Sequence, residues 1–258
     1  MRMNRLGSYS CFGVRWLFVL PFLACALGGS VSQAQQNRPL VAHQKLTLSP
    51  TQNGVDGSLE IMLDARFTPQ LIDEMWGNGD WSFVLAEDDP LYRSFTANPP
   101  ANAQVSISDA KGQRLAAESL ERPLARMETA KLGGSAQSFL VTVDYSAGMG
   151  SYAGPTTFLL QVSGPNLRWV QATDQTTQKE ERISLPKTLK SDWKVFPAGT
   201  GQDILSFYCR PDFENNAGFV LHYVRYHFDS SRGWLRYERV EKGFWESDEL
   251  FPSRSRFP

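Results

Sequence analysis

Apolar and polar residues alternate with a period of two along much of the chain beyond residue 40, which is the pattern of strands half-buried in a sheet. Such runs fall at 45–49, 58–64, 105–107 with a return through Leu115, 138–145, 157–162, 167–172, 182–185, 203–210, 219–228 and 234–241. A short apolar run at 81–85 predicts one more strand. Turn residues stand between these runs: Asn53-Gly54 and Asp56-Gly57 favour positive φ, Asp109 and Gly112 bound a hairpin, and 163–166 and 229–233 close two others. The best helix signal begins at Thr68, a cap, with Pro69 in the first turn, Leu71, Ile72, Met75 and Trp76 on one face, and Gly77 at the exit. That helix is about two turns long, so packing rather than its own propensity must hold it.

Many short strands with frequent turns predict an all-β fold with minor α, built from antiparallel sandwich or barrel-like sheets. No repeat of fixed period is visible, which argues against propellers and solenoids. The hairpin over 103–121 resembles those of immunoglobulin-like sandwiches, and that resemblance implies an immunoglobulin-like N-terminal part. The expected organisation is a leader over 1–34, a sandwich-like region over 35–163, and an antiparallel sheet with an aromatic tail over 164–258, the last two separate or joined as one domain. The tail mixes Phe244, Trp245, Phe251 and Phe257 with charges. It is too aromatic for a solvated end, so it is expected to wrap back over the sheet.

The leader is read from Arg2, Arg5 and Arg15 ahead of the apolar run 16–27, with Ser32 and Ala34 forming a cleavage site and Gln35 starting the mature chain. Its apolar run is too short for a comfortable membrane span, and no later stretch approaches the roughly 20 apolar residues required. Its loss removes three arginines and no acid from 26 basic and 27 acidic residues, taking the net charge from −1 to about −4. Nucleic acid is therefore not an expected partner. Cys11 and Cys25 leave with it, so Cys209 stands alone and forms no internal disulfide. The expected location is periplasmic or extracellular, with a protein or envelope component as partner and no membrane span after processing.

Several local patterns fall short of chemistry. The acids Glu87, Asp88 and Asp89 lack the alternating ligands and central glycine of a calcium loop and read as a turn or a helix start at Pro90. Gly148, Gly150 and Gly154 have the wrong spacing for a dinucleotide loop, and Met149 and Ala153 stand where a nucleophile elbow around Ser151 needs glycines. Ser191 and Lys194 match a serine–lysine spacing without helical context, in a stretch, 187–198, that reads as a solvated connector. No histidine pair stands at ligand spacing and no second cysteine remains, so neither a metal nor a cofactor is expected. Tyr145, Ser151 and Tyr152, beside or within the glycine-rich loop, are the candidate ligand contacts.

The C-terminal block gathers Cys209, His222 and His227. If Arg210 faces Phe219, Cys209 lies diagonally beside His222 on one sheet face, and Glu238 on the next strand is placed to orient the imidazole. That is the outline of a cysteine nucleophile, its base and an orienting acid. The same face also reads as core, with a buried thiol acting as a small apolar residue. His222 and His227, five apart, leave opposite faces of one strand. With no complete catalytic motif, the sequence favours a non-enzymatic binding or accessory protein of the bacterial envelope. The alternatives are a secreted hydrolase with a site assembled from distant residues and a periplasmic inhibitor or immunity-type protein.

Overall fold

The computed structural model describes residues 39–132, 137–147, 150–198, 201–213 and 218–258. The expected leader and Gln35 lie outside them, as do Gly148 and Met149. The first sheet runs in the order β1 (Leu40–Leu48), β2 (Gly57–Asp64), β3 (Gln104–Asp109) and β4 (Arg114–Ser119), all antiparallel. A four-residue helix, α1 (Pro50–Asn53), sits in the first turn and ends at Gly54, whose φ of +71° suits glycine. Helix α2 (Pro69–Met75) starts as predicted: the Thr68 hydroxyl accepts from the Leu71 amide at 3.2 Å, and Leu71, Ile72 and Met75 are buried. Helix α3 (Pro90–Ala97) begins at the acidic turn, where Asp89 accepts from the Leu91 amide at 2.6 Å.

The run 81–85 is not a strand. It forms a single 3-10 turn at Trp81–Phe83, because Asp80 caps the Ser82 amide at 2.8 Å and Trp81 turns inward to meet Tyr92 and Phe95 edge-on. Local capping there outweighs the apolar pattern.

The chain then lays down β5 (Ala125–Ala130), β6 (Ser138–Asp144), β7 (Pro155–Ser163), β8 (Asn166–Trp169), β9 (Gln171–Asp174), β10 (Glu180–Arg182), β11 (Ser184–Pro186), β12 (Ser191–Ala198), β13 (Gly201–Pro211), β14 (Phe219–Asp229) and β15 (Gly233–Lys242). A second sheet has the order β11-β7-β6-β5, with β8 also on β7, and a third the order β10-β9-β15-β14-β13-β12. The β15–β9 pair is parallel. None of the three sheets closes into a barrel, so the fold is all-β with minor α, built of stacked sheets.

The second sheet is the middle layer, and β6 shows why. All seven of its residues are buried, as expected of a strand covered on both faces. Phe139, Val141 and Val143 join the core shared with the first sheet and its helices, whereas Leu140 joins Leu159, Ile204, Val224, Tyr226 and Trp234 in the core shared with the third. The third sheet has a second apolar face, made of Leu205, Phe207, Cys209, Leu221 and Tyr223, which Trp245 and Phe257 of the C-terminal tail cover. Asp203, fully buried, ties the tail down: it accepts from Arg225 at 2.8 Å, contacts His227 Nδ1 at 2.7 Å and lies 3.4 Å from Arg254.

The stretch 187–198 is likewise no connector. From Ser191 it pairs with β13 as an edge strand, with Trp193 and Val195 packing on the inner core and Phe196 on the outer one. Ser191 and Lys194, three apart on that strand, leave opposite faces.

Candidate functional site

The strands β13 and β14 pair in a register one residue away from the sequence expectation. Phe219 faces Pro211, and Arg210 faces Val220. Because side chains alternate, that single step moves Cys209 to one face and His222 to the other. Cys209 faces Leu221 beneath the tail, 1% exposed, its amide donating to the Lys190 carbonyl at 2.8 Å. Burial pushes the thiol's pKa up, the reverse of an activated nucleophile. The structure thus brings together two of the three residues of the catalytic alternative, His222 and Glu238, and separates the third.

On the inner face the register builds three rows across the ladder. The outermost is Arg210–Val220–Lys242, the next Tyr208–His222–Val240, and the third Ser206–Val224–Glu238. The rows run from water into the core, since Arg210 and Lys242 are exposed, His222 is 4% exposed, and Val224 belongs to the inner core.

A hydrogen-bond network fixes the middle of this grid. Glu238 Oε1 lies 2.6 Å from His222 Nδ1 and accepts from the Tyr208 hydroxyl at 3.1 Å, while Oε2 accepts from Arg236 at 2.8 Å. Arg236 continues to Asp174 on the neighbouring strand. The hydrogen bond from His222, helped by Arg236 and opposed by burial, holds the Glu238 carboxyl down at about 2. Burial, with the adjacent Glu238 charge, pushes the Tyr208 phenol up to about 12. The Tyr208 ring stacks on His222 at 4.4 Å and 9°, with the Arg210 guanidinium 6.0 Å above the tyrosine ring. An ionised Glu238 is an acceptor, so Nδ1 carries the proton it shares with that carboxylate. The other ring nitrogen, Nε2, is buried and has no hydrogen-bond partner.

Above the two outer rows lies an open cavity of about 560 Å³, lined by Arg210, Asp212, Val220, His222, Val240 and Lys242 among others. A rigid imidazole at the edge of an open cavity has the parts of a hydrogen-bonding or proton-accepting group. The sequence contains no motif that marks Arg210, Lys242 or Tyr208; they become neighbours of His222 through the register.

The loop candidates lie elsewhere, Tyr145 in one cleft and Ser151 with Tyr152 in a turn. Tyr145 donates to Glu121 at 3.1 Å in a cleft of about 110 Å³, where Arg182 stacks on Trp169. Burial, and then the Glu121 charge, push its phenol pKa up. Tyr152 is half exposed, and its pKa is raised by burial and by the nearby Cys209; Ser151 precedes it in the same turn. His227 faces the tail and pairs with Asp203, away from His222. Among the described residues, no group of three or more His, Cys, Asp or Glu side chains is placed to hold a metal ion, and no helix is long and apolar enough to cross a membrane. Comparisons with protein-family models, with curated proteins and with solved structures give no match.

Proposed function

We propose that this chain is an exported binding or accessory module of the bacterial envelope, and that it engages its ligand on the open end of the third sheet. The observation that supports this reading is the cavity itself, where an ordered, solvent-open surface presents Arg210, Lys242 and an imidazole over the valine floor of Val220 and Val240. Sites of this kind combine apolar walls with a few placed polar groups. The rest of the grid is engaged internally, with Tyr208, Glu238, Arg236 and Asp174 satisfying one another.

A hydrolase is the competing reading, and one observation favours it. His222 held at 2.6 Å from an ionised Glu238 is oriented as a general base would be. The two readings separate in one experiment. The purified protein is incubated with soluble cell-wall fragments, peptides and esters, with binding followed by calorimetry and products by mass spectrometry. Binding without turnover, weakened by blocking the cavity with Val220→Trp, supports the module. Turnover lost in His222→Ala overturns it in favour of the enzyme.

A further inference from the structure

The charge pattern of the same cavity points to the chemistry it takes; this rests on reading the cavity as a binding site. Arg210 and Lys242 flank Val220 on adjacent strands, which places their backbones roughly 10 Å apart with both side chains on one face. Neither is in an ion pair among the described residues. The acids of the lining are already engaged. Glu241 pairs with Arg239 at 3.0 Å and Arg256 at 2.8 Å, and Asp212 has partners of its own, with its amide donating to the Gly218 carbonyl at 3.0 Å.

Behind the two cations stands His222, more than nine-tenths buried, with Nδ1 on Glu238 and Nε2 unpartnered. A buried polar atom without a partner is costly, and a ligand that supplies one is rewarded. Two cations and an imidazole lining one cavity suit an oxyanion, which accepts charge-assisted hydrogen bonds from such groups.

We propose that the cavity is an oxyanion site, in which Arg210 and Lys242 hold a phosphoryl, sulfuryl or carboxylate group of the ligand above Val220 and His222 donates to it from Nε2. Donation from both ring nitrogens is the hydrogen-bonding pattern of the imidazolium, which the ionised Glu238 at Nδ1 favours. Tyr208 of β13 stacks on that ring and Glu238 of β15 meets its Nδ1, Arg210, Asp212, Glu241 and Lys242 line the cavity with it, and Arg236 stands behind Glu238. The arginine balances Glu238.

Sulfate serves as the probe, because it is a fully ionised oxyanion at neutral pH. Isotope-labelled protein is titrated with sodium sulfate, and separately with sodium acetate, at constant ionic strength, while the His222 ring and the methyl groups of Val220 and Val240 are followed by NMR. A saturable shift of these signals is expected. Arg210→Gln and Lys242→Gln, both at exposed positions, each weaken it roughly fivefold or more. His222→Gln keeps residual binding, held by the two cations. Acetate reproducing the shift assigns a carboxylate ligand, and sulfate alone a phosphoryl or sulfuryl one. Shifts that do not saturate, or that persist unchanged in both cation variants, overturn the proposal. A neutral ligand that fills the cavity while sulfate does not would remove the oxyanion assignment and leave the binding module standing. Sulfate binding with no envelope ligand found would do the opposite.

Discussion

Trp245→Ala is expected to uncover Cys209 without unfolding the protein. The indole is 5% exposed, meets Phe207 edge-on at 4.5 Å, and its backbone amide lies against the thiol. Its own ring N–H reaches the Leu250 carbonyl at 3.3 Å. Truncating a buried tryptophan costs about 3–5 kcal/mol, and here that cost falls on the docking of the tail. In the native protein a reagent reaches Cys209 when the tail opens, so the alkylation rate follows the opening equilibrium. At about 1.4 kcal/mol per factor of ten, the variant should label about a hundredfold to a few thousandfold faster, up to the rate of an unprotected thiol. The assay is iodoacetamide labelling at neutral pH, read by mass spectrometry, beside circular dichroism to confirm that the sheets persist. Wild-type protein labelled as fast as its denatured form, or a variant rate equal to the wild type, would refute the covering role of the tail.

Leu159, fully buried between the middle and third sheets, should cost about 3–4 kcal/mol when replaced by alanine, a fall of roughly 6–15 °C in melting temperature. Leu250, 92% exposed, is the control, and Leu250→Ala should stay within about 0.5 kcal/mol. For Glu238 the sign follows from its lowered carboxyl, held at about 2 against an ordinary value of 4.5. Its stabilisation is present above the ordinary value and is lost as the pH falls towards the folded one. Glu238→Gln should therefore be less stable near neutrality, by about 1–2 kcal/mol after allowing for its partial exposure. In denaturant melts the gap to the wild type should close on acidification from about pH 5 towards about pH 2; a gap that is constant with pH would contradict the ionised carboxylate.

The strand content was legible because period-two alternation is a property of single segments, and each half-buried strand carries its own copy. Helix α2 was legible for the same reason: Thr68, Pro69 and the Leu71–Ile72–Met75 face are local signals. Two segments misled because short-range patterns competed. At Trp81–Phe83 a cap at Asp80 overrode an apolar run, and at β12 the charges of Asp192 and Lys194 masked the inward alternation of Trp193 and Val195. The site failed for a different reason. Whether Cys209 or Tyr208 lies beside His222 depends on the turn between β13 and β14, and one residue there exchanges the two faces. Glu238 survived as His222's partner because its link to the histidine runs through β14 and β15, whose hairpin at 229–233 is short.

The position of the cavity follows from unequal strand lengths. β13, β14 and β15 have 11, 11 and 10 residues, whereas β5, β6 and β7 of the middle sheet have 6, 7 and 9. At about 3.4 Å per residue, the strands of the third sheet are on average roughly 10 Å longer than those of its cover, about one and a half rows of side chains on one face. Its inner face is accordingly core at Ile204, Val224 and Tyr226 and open at Arg210, Val220, Val240 and Lys242. His222 stands at the step between the two regimes, with one nitrogen committed to the Glu238 network on the covered side and the other left unpartnered at the edge of the open one. A histidine wholly within the core would need both nitrogens satisfied by protein, and one wholly on the overhang would be satisfied by water. On the proposed reading, this placement sets a partly desolvated imidazole in one cavity with two exposed cations, where a ligand's charge is felt more strongly than in bulk water.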